Sequence, residues 1–405
     1  MTQPLRVVFN RLAALKPRTG VGSYIVNLLE ALQELPGLVV HPFPSGASMH
    51  LARLAFRTHA ATLPSPQALA DRASSPSLAA RCLAAARHLA RVTGHAAFRT
   101  FFRHTCESRA FELYHEPNFL AWPSELPTVL TVHDLSVLTH PQWHPRDRVR
   151  AHEQHFRASI RRACHIVAVS EFTRQELIRT LGVPAQRVST IHNGVRADLR
   201  PLPETLVRQL LFPLGLPQRY LLVVGTIEPR KNVLMLLRAY CSLPAGVRQL
   251  CPLILAGPWG WNAEPVADFF ECVARHHNVR LLGYCPDALL PALYCGADAL
   301  LYASHYEGFG LPVLEMLACG GAVLAADIPA LREIASAGVQ FIDPTDEPGW
   351  RQAIERIITD PDYLASLRGA GASHAASFTW DRAARQTLAL YQRLARSQPP
   401  AAASR

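Results

Sequence analysis

The chain has 405 residues, 49% of them hydrophobic and 18% charged, with a net charge of +10. A single core stops growing at roughly 250 to 300 residues, so two domains are expected, and the apolar content excludes a disordered chain except at its ends. No apolar run approaches the ~20 residues of a membrane-spanning helix, the N-terminus enters Leu5-Arg-Val-Val-Phe9 without a secretory pattern, and nine scattered cysteines form no C-x-x-C pair; a cytoplasmic chain with reduced core cysteines is expected.

In chain order, the first half repeats short apolar runs: Arg6-Val-Val-Phe9, Thr128-Val-Leu-Thr-Val132, His165-Ile-Val-Ala-Val169 and Arg187-Val-Ser-Thr-Ile191. Each ends at a polar or glycine turn, as buried parallel strands do before crossover helices. Thr19-Gly-Val-Gly22 follows the first run and opens a predicted helix from Ser23 to Leu35. The third glycine and the downstream acid of a dinucleotide fingerprint are missing, which argues against NAD or FAD. Residues 1–110 hold 13 Lys/Arg against 4 Asp/Glu, the rest 28 against 27. Within this basic region Leu78, Cys82, Ala86 and Leu89 mark one helical face with Arg81, Arg87 and Arg91 off it. Such a helix suits either peripheral contact with an acidic membrane surface or ordinary core packing with a solvated face. Few aromatics interleave with its arginines, so nucleic acid is not an expected partner.

His133-Asp134 closes the second of these strands, and Ser170-Glu-Phe-Thr173 and His192-Asn-Gly-Val195 are strand-end turns on the same rim. His152 and His155 lack a third ligand and the zinc-helix spacing, so no metal site is expected there. Pro201, Pro203, Pro213 and Pro217 mark residues 196–219 as a linker or short broken helix. Strands are then predicted at Tyr220 to Val224, Pro252 to Ala256, Val279 to Leu282, Ala299 to Tyr302 and Ala322 to Ala325, a second doubly wound sheet. Trp380, Ala384, Leu388, Tyr391 and Leu394 have helical period. The expected organisation is therefore a domain over 1–195, a linker over 196–219, a domain over 220–375, a helix over 376–397 and a frayed tail over 398–405.

Two segments of the second half carry candidate chemistry. Glu307-Gly-Phe-Gly-Leu-Pro-Val-Leu-Glu315 follows a strand, and Pro312 is pre-set for a helix start. Amides of Phe309, Gly310 and Leu311 would open that helix, where its dipole favours a phosphate. Two carboxylates flanking an anion site suit hydroxyl groups of a sugar and a ribose; Glu315 alone would also serve as a first-turn acid. Gly225-Thr-Ile-Glu-Pro-Arg-Lys-Asn232 sits at the carboxyl end of another strand, where open α/β sheets bind ligands, and Arg230 with Lys231 offers two charges for a diphosphate. Lysine is rare here, occurring only as Lys16 and Lys231.

These two segments, with Leu293-Tyr-Cys-Gly-Ala-Asp298 and Ala318-Cys-Gly320, resemble those of group 1, family 4 glycosyltransferases, and the likeness runs along most of the chain, weakest at 45–110. The resemblance implies an α/β chain of GT-B fold: two Rossmann-like doubly wound domains facing across a cleft, with a C-terminal helix crossing back to the first. It implies that Arg230 and Lys231 neutralise the donor diphosphate beside Gly225, that Glu315 binds ribose hydroxyls, and that Glu307 and, from the opposite domain, His133 meet the donor sugar. Gly20 and Gly22 would let the first domain close over phosphates and acceptor. One departure is Ala322, where the family more often has proline two residues after Ala-Cys-Gly. The implied activity is retaining transfer of a hexose, mannose or rhamnose favoured, from a nucleotide-diphosphate sugar, GDP-linked by preference. The acceptor would be a glycan or polyprenyl-linked saccharide of a cell-surface polysaccharide such as lipopolysaccharide O antigen, with no cofactor and no obligatory metal. A GT-B sugar-nucleotide epimerase and a non-catalytic nucleotide-sugar-binding module are the alternatives.

Overall fold

The computed structural model describes residues 3–15, 20–46, 48–49, 52, 98–107 and 111–397; the basic helical face from Leu78 to Arg91 lies outside them. Among the described residues twelve strands form two parallel sheets. The first contains β1 (Leu5–Asn10), β2 (Leu38–Phe43), β3 (Leu113–Glu116), β4 (Thr128–Val132), β5 (Ala163–Ala168) and β6 (Val188–Thr190), in the order β2-β1-β3-β4-β5-β6. The second contains β7 (Leu221–Val224), β8 (Leu253–Ala256), β9 (Val279–Gly283), β10 (Ala299–Tyr302), β11 (Ala322–Ala326) and β12 (Val339–Ile342), in the order β12-β11-β10-β7-β8-β9.

The apolar runs become the central strands because parallel strands covered by helices on both faces must be hydrophobic throughout. β4, β8, β10 and β11 are buried at every residue. Sequence pattern did not mark β2, β12 and β3. β2 is an edge strand with Val39 exposed and a proline in its ladder, tolerated there because the outer side needs no donor. β12 is a half-buried edge, and β3 spends two of its four residues on His115 and Glu116 yet is fully buried.

Chain order reverses between β1 and β3 in the first sheet and between β7 and β10 in the second. Such reversals open a crevice at the carboxyl ends of the two strands. The chain divides into two compact units, residues 1–131, 158–166 and 384–405, and residues 132–157 and 167–383. The linker segment contains a helix, Glu204–Leu211, followed by a short 3-10 turn. The C-terminal helix Trp380–Arg396 passes into the first unit from residue 384, where the Tyr391 hydroxyl is 2.5 Å from Nδ1 of His115. Of the eight described cysteines only Cys251 and Cys319 are buried and Cys272 is exposed, so the expectation of core cysteines fails: most sit at element ends, outside the strand interiors. No helix among the described residues is long and apolar enough to cross a membrane.

Candidate active site

The reversal between β7 and β10 gathers the charged residues of the two segments. The chain leaves β7 through Gly225, whose φ of +133° is a conformation that side-chain-bearing residues avoid, and makes a 3-10 turn over Pro229–Lys231. It leaves β10 through Tyr302 and reaches Glu307 before the helix Leu311–Ala318. Glu307 accepts from Arg230 Nη1 at 2.7 Å on one oxygen, and from Lys231 Nζ at 2.6 Å and the Tyr302 hydroxyl at 2.8 Å on the other. Arg230 also donates to the Tyr306 carbonyl at 2.8 Å and to Glu228 at 2.8 Å. Lys231 donates to the Tyr302 hydroxyl at 2.9 Å.

Burial alone would raise the Glu307 carboxyl, but Arg230 and Lys231 outweigh it and hold it down at about 2. The same exchange, against burial, raises Arg230 well above the ordinary guanidinium value through Glu307, Glu228 and Asp134. Lys231 falls below its ordinary value because burial exceeds what Glu307 returns. Glu307 and Arg230 are thus charged at neutral pH, and both Arg230 and Lys231 bond to Glu307.

His133 is brought to this cluster by the backbone. A Cβ on Gly308 would stand 1.7 Å from the His133 carbonyl oxygen, so only glycine allows the end of β4 and the loop after β10 to touch. The Gly308 carbonyl accepts from the Ser170 hydroxyl at 2.6 Å and the Thr173 hydroxyl at 3.2 Å. Ser170 also caps the helix Glu171–Leu181 by accepting from the Thr173 amide. The same helix start donates the amides of Glu171 and Phe172 to Glu333, which His192 meets at 2.6 Å. The turn at 170–173 therefore holds the Gly308 position of the Glu307 loop, and the His192 ring packs against Phe309 beside it. Asp134, half-buried beside them, accepts from the amide and hydroxyl of Ser136 at 2.9 and 2.7 Å. Burial opposes its ionisation, but Arg230 and Ser136 bring its carboxyl below the usual value.

Gly310 caps the helix Leu311–Ala318 with φ +104°, which leaves Leu311 and Pro312 as its first residues. Phe309 is buried with its ring 6.0 Å from His192 and 6.2 Å from Phe378. Glu315, farther along this helix, accepts from the Tyr294 hydroxyl at 2.7 Å and is raised by burial, with Arg196 and Asp287 nearby. It shares no hydrogen-bond partner with Glu307. Gly20 and Gly22 lie in the other unit, in the first turn of the helix Gly20–Gln33. His152 is buried against Phe156, with ring centroids 4.7 Å apart, and His155 is exposed. Sequence reasoning missed Tyr302, Tyr306, Glu228 and Glu333; a hydroxyl-tipped ring ending an otherwise aliphatic strand was the available signal for Tyr302.

The chain is similar to known glycosyltransferases. The model "Glycosyl transferases group 1" matches residues 212–374, and "Glycosyltransferase Family 4" matches residues 18–199. O-antigen chain mannosyltransferase B of Escherichia coli is 37% identical over 289 residues, 70% of this chain and 74% of that protein. The serotype-specific mannosyltransferase WbdA of Escherichia coli is 30% identical over 277 residues, 67% of this chain but 34% of that protein. Among solved structures, HepE of Anabaena in complex with UDP and glucose superposes with a TM-score of 0.68, covering 96% of this chain and all of that one, at 17% identity, a likeness of fold. Together the two matched models, the mannosyltransferase relative and the shared fold establish that the chain belongs to the group 1, family 4 glycosyltransferases, with the GT-B fold, and is an enzyme of that kind.

Proposed function

We propose that the enzyme transfers mannose, with rhamnose as second choice, from a GDP-linked donor to a glycan or polyprenyl-linked saccharide, retaining anomeric configuration. The names of the Escherichia coli relatives support mannose and O antigen. The observation that carries the reading is the pairing of Glu307 with Arg230 and Lys231 at the β7/β10 crevice. A donor diphosphate would share these two cations with Glu307, and the amides of Phe309, Gly310 and Leu311 would add donors from the helix start. Leaving-group charge then meets preorganised positive groups, which is electrostatic stabilisation of the transition state. Glu307, charged at neutral pH, would face an anomeric carbon that becomes cationic, with His133 beside it. Glu315 would take the ribose hydroxyls, and Gly225, Gly20 and Gly22 would let backbone approach the donor.

The test is a panel of GDP-, UDP- and dTDP-sugars assayed with saccharide acceptors, with the anomeric configuration of the product read by NMR. Transfer from GDP-mannose with retention is expected, and largely unchanged in excess EDTA because Arg230 and Lys231 fill the role of a cation. Inversion, activity lost to EDTA and restored by magnesium, or donor conversion without acceptor would each overturn the corresponding part.

A further inference from the structure

Near the Glu307 cluster stands a group of rings that donor chemistry leaves unused. His140 stacks on Trp143 with centroids 4.2 Å apart and planes 23° apart, and Trp143 stacks on His305 at 5.9 Å and 15°. The Trp261 indole donates to the Trp143 carbonyl at 2.8 Å, and the Arg148 guanidinium lies 4.5 Å from the Trp261 ring centroid. The loops after β4 and β8 are thus tied by a bond that uses the one polar atom of Trp261. His140, Trp143, Trp261 and His305 are each half-buried. Amphipathic rings gathered face to face at a partly open position offer large, rigid contact area to a ligand.

Their anchoring places them beside the proposed donor sugar. The His305 amide donates to the Arg230 carbonyl at 2.9 Å, and His140 packs edge-on against Tyr306, whose carbonyl holds Arg230. His144 adds a second, independent observation. It is only 6% exposed, and its Nε2 lies 3.0 Å from the Ser136 hydroxyl, which is itself donated to Asp134. The imidazole proton therefore sits on Nε2, which leaves Nδ1 a buried acceptor with no hydrogen-bond partner. This ring is 5.9 Å from that of Trp261.

Resting on the glycosyl-transfer reading, we infer that Trp143, His140 and His305, with Trp261 and His144, form the subsite that seats the acceptor saccharide. A sugar has apolar C–H faces that cover an indole and hydroxyls that can donate to His144 Nδ1, so one ligand class answers both features. A nucleotide base would also stack, but Glu315, proposed for the ribose, has Tyr294, Arg196 and Asp287 as neighbours and none of these rings.

The full-length Trp143→Ala and Trp261→Ala variants, assayed with GDP-mannose and mannobiose, should raise the acceptor KM roughly tenfold while kcat and donor KM stay within about threefold. Trp261→Phe, which keeps a ring, should recover most of the loss. Independently of transfer, mannobiose should perturb tryptophan fluorescence of the wild type and not of the double alanine variant, while GDP binding by calorimetry is equal in both. An unchanged acceptor KM, or absence of any saccharide effect on fluorescence, overturns the inference. A parallel loss of GDP affinity also overturns it and assigns the rings to the base. A wild type that transfers no sugar yet shows the fluorescence response would refute the proposed function and leave the saccharide subsite standing.

Discussion

The crevices at the two points of strand reversal both contain a buried glutamate, and their surroundings drive the two carboxyls in opposite directions. In the first sheet Glu116 ends β3 beside β1. It accepts from Asn10 Nδ2 at 2.7 Å, from the Tyr114 hydroxyl at 2.5 Å and from the Asn118 amide at 3.2 Å. Burial pushes its carboxyl up to about 8, and these neutral donors recover only part of that cost. In the second sheet Glu307 is as buried but has two cations, and its carboxyl is at about 2. Equal burial thus gives a carboxyl that can be neutral at physiological pH in one unit and a permanent anion in the other. The difference is the charge of the donors, since a full positive charge within hydrogen-bond distance offsets desolvation where a hydroxyl or amide cannot. Among the described residues, only the second crevice holds paired charges that an anionic ligand could rearrange.

Neutralising Glu307 should have the largest consequence for transfer. Glu307→Gln keeps the shape of the side chain and strands Arg230 and Lys231 beside an uncharged amide. Transfer should fall roughly a hundred- to a thousandfold, in the range of lost electrostatic stabilisation. Affinity for GDP should be kept or improved, because the two cations no longer share a carboxylate. Calorimetry with GDP beside the transfer assay checks this, and a parallel fall of both would mean that Glu307 positions the cations without acting on the sugar.

Lys231→Ala should have a smaller effect, on binding and rate together. A charge-assisted hydrogen bond is typically worth about 1.5 to 3 kcal/mol, so GDP affinity should drop by one to two orders of magnitude. Arg230 keeps its bonds to Glu228, Glu307 and the Tyr306 carbonyl and supplies the remainder. Wild-type GDP affinity in this variant would place the diphosphate elsewhere.

How much of this contrast was legible in sequence depends on distance along the chain. Strands such as Thr128–Val132 and Ala299–Tyr302 are readable to the residue because continuous apolar runs answer to local physics. Arg230, Lys231 and Glu307 stand out singly, in strand-end positions of a chain with two lysines. Their mutual pairing does not, since it joins positions 76 and 77 residues apart. Glu116 was hidden altogether: no long apolar run marks β3, and the bond Glu116 accepts from Asn10 spans 106 positions. Ser170 and Thr173 were visible as a turn, but their hold on the Gly308 carbonyl spans 138 and 135 positions. Spacing locates candidates; only tertiary contact settles whether a charge is paired, buried or shared.

The smallest effect on transfer, and the sharpest test of the comparison, is expected from Glu116→Gln. The Glu116 carboxyl is raised in the folded chain from its ordinary 4.5 to about 8, so between those values the folded state holds a proton that the unfolded state has released. Stability from this group is full below pH 4.5 and is lost progressively as pH rises through about 8. Glu307 has the opposite sign: its contribution is present above pH 4.5 and is lost as pH falls through about 2. Glu116→Gln should therefore flatten the decline in unfolding free energy between pH 5 and 8 by a few kcal/mol, an order-of-magnitude figure. Transfer at pH 6 should stay within about threefold of wild type, since no cation or proposed donor contact depends on this side chain. Denaturant titrations across that pH range, run on both proteins, provide the measurement. An unchanged slope would mean that Glu116 is ionised in the folded state despite its burial, and the two crevices would then differ less than their donors imply.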